Sequence, residues 1–206
     1  MTRGATLLAV ALAAGSAQAR RRHPLRFFGG VPAILQVLPV PAPSGDLDIE
    51  ATNLGEQAHV NLYNLDGTFD AQALESLENV FRCKRTGDRR PIDPRLLEIL
   101  SHVHDRYGQR IQLLSGYRNQ ENTHSYHYQG AAADIRVPGV SIRALRRFVE
   151  SLDRGGMGVG LYPKSGFVHV DVRPPPSYRW VDNGSTRSRT RPSTRPRRAA
   201  IAPPNS

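Results

Sequence analysis

The chain has a single cysteine, Cys83, and no apolar run long enough to cross a membrane. One cysteine cannot form an intrachain disulfide, so a disulfide-stapled secreted scaffold is excluded. The absence of a long apolar run excludes a membrane-spanning bundle. With 206 residues, 39% hydrophobic and 22% charged, the composition also excludes wholesale disorder and predicts one globular domain with tails.

The net charge of +10 comes from the two ends of the chain rather than from its centre. Residues 1–26 carry five arginines and no acid, and residues 181–206 carry six arginines and one aspartate. The centre, residues 27–180, has equal numbers of basic and acidic side chains. This neutrality removes the charge argument for a nucleic-acid-binding domain, and no nucleic-acid partner is predicted. The charge of the ends supports one alternative function, in which the basic C-terminal tail binds nucleic acid or another anionic polymer.

The composition of the two ends of the chain predicts a signal peptide, an arm and a tail. Residues 1–19 show a basic start, an apolar stretch and a final Ala17-Gln18-Ala19, which is the order of a secretory signal peptide. We therefore expect an exported protein, periplasmic or otherwise extracytoplasmic, without a transmembrane segment after cleavage. Residues 20–47 are Pro- and Arg-rich and indicate a linker or arm. Residues 181–206 hold too little apolar surface to offset ordering and predict a disordered basic tail.

Hydrophobic periodicity predicts an α+β domain over residues 48–180. The predicted strands are 48–52, 58–63, 111–114, 132–137 and 167–172, and the predicted helices are 69–82, a second that begins at Asp93-Pro94, and 141–152. The first two strands form a predicted hairpin. The glycine-rich run 156–160 is predicted to be a turn that leads into the strand of His169.

Metal-ligand chemistry appears in the last third of the domain. Strand alternation places His169 and Asp171 on one face, and places Asp134 on the same face as small residues that leave room for another group. Zinc takes three His or carboxylate ligands and keeps one open position for water, and His127, Asp134 and His169 supply such a set. The plain alternative is that Asp134 and Asp171 only pair with nearby arginines, Arg136 and Arg173.

Three motifs carry a resemblance to a known family. They are S-x-H-x-x-G-x-A-x-D at residues 125–134, S-G-Y-R at 115–118 and G-F-V-H-V-D at 166–171. Together they resemble the zinc murein peptidases that share the D-alanyl-D-alanine peptidase and hedgehog fold, and are most similar to the murein endopeptidase K branch. The resemblance spans roughly residues 48–180. It implies a small antiparallel sheet flanked by helices.

The resemblance also implies a function and roles for individual residues. It implies a zinc-dependent peptidoglycan peptidase, an endopeptidase or carboxypeptidase, with the hydrolysis of cross-links between stem peptides as the expected reaction. His127, Asp134 and His169 would be the zinc ligands. Arg118 would steady the scissile carbonyl oxygen or a substrate carboxylate. Ser125 would hold the substrate or the ligand loop, and Tyr126 is a further predicted substrate contact.

One position departs from the family pattern. Many members have an acidic residue three positions before the last histidine, and this chain has Gly166 there. The predicted general base is therefore Asp171, with His124 as the second choice. The missing acid also motivates a different function, that of a catalytically inactive, zinc-containing cell-wall binding module.

Overall fold

Seven strands and three helices lie in residues 41–184, the part of the chain that the computed structural model describes. In chain order the elements are β1 Asp46–Ala51, β2 Glu56–Asn61, α1 Ala71–Phe81, α2 Pro94–Tyr107, β3 Ile111–Ser115, β4 Ala132–Arg136, α3 Ile142–Ser151, β5 Met157–Tyr162, β6 Phe167–Val172 and β7 Tyr178–Val181. The predicted signal segment, residues 20–40 of the predicted arm and residues 185–206 of the predicted tail lie outside the described residues. None of the helices in the described part is long and apolar enough to cross a membrane.

The three predicted helices are confirmed, and each begins at a side chain that caps it. Asp70, Asp93 and Ser141 accept hydrogen bonds from backbone N–H groups in the first turns of α1, α2 and α3. These caps satisfy donors that a helix start otherwise leaves unpaired. In α2 the cap is followed at once by Pro94, whose missing N–H costs nothing at that position.

The seven strands form one mixed sheet in the order β2-β1-β3-β4-β6-β5-β7. The predicted hairpin of β1 and β2 is confirmed, and the α+β class is correct. The prediction of a small antiparallel sheet is wrong, because β1 pairs with β3 in parallel and β5 pairs with β7 in parallel. Each parallel pair joins strands that are distant in sequence, and such pairing requires a crossover that local patterns do not announce.

The predicted turn over residues 156–160 is also wrong, because all but its first residue lie in a strand. Positive φ angles at Gly155 and Gly156 confine the turn to the residues before Met157, where β5 begins. Gly158 and Gly160 lie inside this strand. A Cβ atom at Gly158 would overlap the side chains of Asp171 and Arg173, and one at Gly160 would overlap Trp180. These two glycines are therefore explained by close packing in a sheet rather than by turn geometry.

The two faces of the sheet have different surroundings. Alternate residues such as Ala133 and Ile135 of β4, and Val168 and Val170 of β6, join one apolar core with the buried sides of the three helices. The intervening residues of the same strands are Asp134 and His169, and they point to the opposite face. The helices thus support the sheet from one side, and the polar site lies on the other.

Candidate metal centre

A row of paired residues across the sheet sets the position of the site. Asp134 of β4 lies directly opposite His169 of β6, and His169 lies opposite Gly160 of β5. Directly opposed residues place their side chains on the same face and close together. The sheet register therefore brings a carboxylate and an imidazole to one point, and Gly160 beside them leaves room for the Trp180 ring that packs there.

The third residue, His127, comes from the segment between β3 and β4. This segment is held by backbone hydrogen bonds, among them Ala131 N–H to the carbonyl of Tyr126 at 2.8 Å and Arg118 N–H to the carbonyl of His127 at 3.3 Å. His127 is 4% exposed, which is unusual for a histidine outside a helix or strand. Its burial places its ring against the two residues of the sheet.

Three donor atoms converge at this point. His127 Nε2 lies 3.2 Å from His169 Nδ1, His169 Nδ1 lies 2.8 Å from Asp134 Oδ1, and His127 Nε2 lies 3.4 Å from Asp134 Oδ1. Two ligands of a tetrahedral zinc ion with bonds of about 2.0 Å lie about 3.3 Å apart. The three atoms already have nearly this spacing, so small side-chain shifts are enough for the residues to hold a metal ion.

The far side of the His127 ring fixes which nitrogen faces the site. Nδ1 lies 2.8 Å from the carbonyl oxygen of Gly116. A carbonyl oxygen can only accept, so Nδ1 carries the proton and Nε2 offers its lone pair. The backbone of Gly116 also packs against Phe81. A Cβ at residue 116 would lie 2.7 Å from the carbonyl oxygen of Phe81, so only glycine fits there. This is the physical reason for glycine in the S-G-Y-R motif.

His169 is held in the same way by a carboxylate. Its Nε2 lies 3.0 Å from Asp171 Oδ2, on the side of the ring away from the point where the donors converge. Asp171 is fully buried and forms a two-pronged ion pair with Arg173, whose Nε lies 2.6 Å from Oδ1. Metal-binding histidines commonly donate their second N–H to such a carboxylate. Asp171 and His169 do share one face of β6, as strand alternation predicts, but Asp171 contacts the Nε2 side of the His169 ring rather than the point where the donors converge.

Arg118 lies at the edge of the site. Its Nε donates to Ser115 Oγ at 2.7 Å, and its Nη2 forms an ion pair with Asp134 Oδ2, the oxygen that does not face the histidines. The side chain of Arg118 is 43% exposed, so the guanidinium also reaches solvent. Asp134 thus pairs with Arg118 and not with Arg136, which bonds Gln112 instead.

The other predicted site residues lie around this centre. Tyr126 is half-buried, and its ring lies 4.7 Å below the guanidinium carbon of Arg173. Ser125 accepts a hydrogen bond from Gln129 N–H through its backbone carbonyl. His124 is exposed in the same segment. Gly166 lies in the turn before β6 with a φ of 71°.

The ionisation of the three central groups reflects their mutual contacts. Burial works to raise the pKa of Asp134, but its contacts with the His127 and His169 imidazoles outweigh it and hold that pKa well below its usual value. Burial works to lower the pKa of His169, but Asp134 and Asp171 together raise it. Since only a neutral imidazole binds a metal, a metal ion must compete with a proton for His169.

Sequence reasoning overlooked three parts of the centre. The carbonyl of Gly116 has no side-chain signal at all. The sequence suggests Arg173 only as an ion-pair partner of Asp171. The alternation of His169, Asp171 and Arg173 along one face is the signal that could have predicted that the three side chains contact one another. Trp180, on β7, packs against His169 with ring centroids 5.2 Å apart. Only the pairing of β7 with β5 brings it there.

A buried His, Asp, His donor set with an arginine beside it, on the open face of an α+β sheet, is the kind of site that a metal-dependent hydrolase uses. Residues 42–178 match a peptidase family model described as peptidoglycan L,D-endopeptidase MepK. The chain belongs to this family. Its membership and the donor set together make it a metallopeptidase.

Individual relatives agree with the family assignment. The chain is 30% identical over 174 residues to the peptidoglycan L,D-endopeptidase MepK of Escherichia coli strain K12, which covers 74% of this chain and 94% of the relative. The protein of the same name from Shigella flexneri gives the same values. A Haemophilus influenzae protein described as a probable peptidoglycan L,D-endopeptidase MepK is 30% identical over 164 residues, covering 72% of this chain and 86% of that one. No solved structure gives a significant match.

Proposed function

We propose that this chain is a zinc-dependent peptidoglycan endopeptidase that hydrolyses cross-links between stem peptides. The proposed target is an L,D peptide bond, as in the name of its relatives. The observation that carries the proposal is the convergence of three donor atoms at one buried point, in a chain that belongs to a peptidoglycan peptidase family. We also propose that the sheet has the fold shared by D-alanyl-D-alanine peptidases and hedgehog domains. The match of residues 42–178 to the peptidase family supports this assignment.

Three residues would hold the zinc ion: His127 through Nε2, Asp134 through Oδ1 and His169 through Nδ1. When bound, zinc supplies a polarised carbonyl and a water whose pKa falls to about 7. The chain's own contribution begins with orientation. Gly116 holds the ring of His127 and Asp171 holds the ring of His169, so both lone pairs point inward before any ion arrives.

Arg118 would bind the substrate next to this centre. Its guanidinium stays charged, and part of it is open to solvent beside Asp134. In this position it can donate to the scissile carbonyl oxygen as that oxygen gains negative charge. Ser125 and Tyr126, in the segment that carries His127, are the further substrate contacts that we propose.

The proton of the attacking water needs a base. Of the two sequence candidates, Asp171 has both carboxylate oxygens engaged by His169 and Arg173. We therefore assign Asp171 a positioning role through His169. His124, an exposed imidazole near His127 in the chain, is the residue that we propose for the proton-transfer step.

The proposed cellular place is the periplasm or another extracytoplasmic space, where peptidoglycan is found. It rests on the signal-type order of residues 1–19. The basic tail beyond residue 184 would add loose attraction to anionic polymers of the wall, and nucleic acid is not a proposed partner.

The test is digestion of purified muropeptides that carry either an L,D or a D,D cross-link, with and without a chelator. We expect the L,D cross-linked species to be lost, the loss to be abolished by the chelator and restored by zinc, and the fragment masses to identify the bond. His127→Ala should abolish cleavage. His59→Ala is the matched control, because His59 is exposed on β2. A folded, zinc-loaded protein that cleaves nothing would instead indicate a wall-binding module, with Gly166 as the reason.

A further inference from the structure

A second pocket adjoins the metal centre and is not used by the mechanism above. Its volume is about 250 Å³, and it lies between the loop after α1 and the segment after β3. Four basic side chains line it, and no acidic residue does: Arg82, Lys84, Arg85 and Arg118. We call this the basic pocket.

Two of these four charges are already neutralised by partners. Arg82 forms a two-pronged ion pair with Glu56, and Arg118 pairs with Asp134. Lys84 and Arg85 are exposed, and within residues 41–184 no carboxylate lies at ion-pair distance from either. The basic pocket therefore has two charges available for an anion.

The nearby acid, Asp88, is engaged by another group. Its carboxylate accepts a hydrogen bond from Asn119 Nδ2 at 2.6 Å. The Thr86 hydroxyl and then this bond, more than the Arg85 charge, lower the pKa of Asp88. The Arg85 guanidinium donates instead to the backbone carbonyl of Asn119, also at 2.6 Å. Arg85 is thereby tied to the segment that carries Arg118.

Backbone hydrogen bonds hold the two walls of the basic pocket together. Tyr117 N–H donates to the carbonyl of Phe81 at 2.8 Å, and Cys83 N–H donates to the carbonyl of Asp88 at 2.9 Å. A site whose walls are fixed in advance loses less entropy when a ligand binds. The backbone that carries Lys84 and Arg85 is therefore held in place by the fold.

Arg118 joins the basic pocket to the metal centre. It lines the pocket, and its guanidinium also pairs with Asp134. A peptide whose scissile bond lies at the metal centre would therefore extend a neighbouring group past Arg118 into the basic pocket. Two unpaired cations in a half-open pocket select an anionic group over a neutral one.

We propose that the basic pocket binds a carboxylate of the peptide substrate beside the scissile bond, with Lys84 and Arg85 as its ligands. This inference rests on the proposed function. A cross-linked stem peptide offers such a group in two places, the terminal α-carboxylate and the free carboxylate of its diamino acid. Both present the same chemistry to the basic pocket.

Amidation separates these two sources and tests the proposal. Three substrates are compared: the natural cross-linked peptide, the same peptide with the terminal carboxylate amidated, and one with the diamino-acid carboxylate amidated. We expect one of the two amidations to lower kcat/KM by about tenfold through a higher KM, the size of one charge-assisted contact. The sensitive substrate identifies which carboxylate the pocket binds.

Lys84→Glu is the informative variant, because within residues 41–184 the Lys84 side chain forms no hydrogen bond or ion pair that its loss would break. We expect it to abolish the preference for the free carboxylate while cleavage of the sensitive amidated substrate stays within about twofold of the wild-type rate. Arg147→Glu is the matched control, since Arg147 is exposed on α3, on the other side of the sheet. It should keep the full preference.

The same peptides are also titrated into His127→Ala, which keeps Lys84, Arg85 and the backbone bond from Arg118 N–H to the carbonyl of residue 127, to measure Kd. An equal Kd for all three peptides, or an unchanged preference in Lys84→Glu, would overturn the pocket assignment. Absence of cleavage by the wild-type protein would count against the proposed function. The Kd values decide the pocket assignment even in that case.

Discussion

Single residues in this protein decide the direction in which a lone pair points. The rings of His127 and His169 could each present either nitrogen, and a partner on the far side of each ring removes the choice. The carbonyl of Gly116 does this for His127, and the carboxylate of Asp171 does it for His169. Both rings are therefore already oriented in the folded chain, before a metal ion binds.

This arrangement predicts what happens when Asp171 is changed. Asp171→Asn should weaken zinc binding by roughly 10- to 100-fold, because an amide in place of the carboxylate holds His169 less firmly and withdraws its negative charge. The single tryptophan, Trp180, lies beside His169, so its fluorescence during a metal titration gives the affinity directly. Asp48→Asn is the matched control, because Asp48, which lies on β1, is also an aspartate paired with an arginine, Arg110.

His124→Gln separates the two candidate roles. It should leave the zinc affinity unchanged and lower kcat, as expected for a group that moves a proton but binds no metal. An Asp171→Asn protein with normal zinc affinity and lost kcat would mean that Asp171 is the base after all.

At the scale of elements, a polar cluster ties the end of α3 to β7. Asp153 accepts hydrogen bonds from Gly155 N–H at 2.8 Å and Ser177 Oγ at 2.9 Å, and it pairs with Arg179. Arg179 also donates to the carbonyl of Met157 at 2.7 Å. These contacts seat β7, the strand that carries Trp180, against β5.

This cluster predicts a pH-dependent stability. Burial works to raise the pKa of Asp153, but Ser177, Gly155 and Arg179 together lower it below its usual 3.8. A lowered folded-state pKa stabilises the protein above the unfolded value, and this contribution is lost as the pH falls through the folded pKa. Asp153→Asn should therefore cost about 1–2 kcal/mol of unfolding free energy at pH 7, and progressively less below about pH 4.

Urea unfolding at a series of pH values measures this difference. Asp182→Asn, an exposed site after β7, should show little cost at any pH. A cost at Asp153 that stays constant from pH 7 to the acid range would show that the carboxylate charge is not involved.

At the scale of the whole molecule, the metal centre joins distant parts of one sheet. Its donors come from β4, from β6 and from the segment between β3 and β4, and all three helices support the sheet from the opposite face. A ligand that binds only the folded state stabilises it in proportion to the logarithm of its excess over Kd. Metal binding should therefore act on the stability of the entire domain.

A chain reduced to residues 41–184 tests whether this region is sufficient. Zinc should raise its Tm as much as that of the full chain, because every donor and every strand of the sheet is retained. The reduced chain should cleave soluble muropeptides normally but bind intact peptidoglycan more weakly at low salt, since the arginines of both ends are gone. Differential scanning calorimetry and sedimentation with peptidoglycan measure the two effects. Loss of the zinc effect on Tm would place a necessary part of the site outside residues 41–184.

Much of this architecture is written locally in the sequence. Helix starts were predictable because Asp70, Asp93 and Ser141 act on backbone groups only a few positions away. The three donor residues were identifiable because their types and order suit one metal ion. The strands β1, β2, β3, β4 and β6 were visible as short apolar or alternating runs.

What the sequence alone determined, then, was the inventory of helices, of most strands and of donors. Only the tertiary structure decided the strand order, the strand character of Met157–Tyr162, the seat of Trp180 and the contact of Asp171 with the far side of His169. The physical reason is the distance along the chain over which each interaction acts. Caps and periodicity act over a few residues, whereas parallel pairing and the direction of a side chain in a packed site depend on neighbours that are distant along the chain.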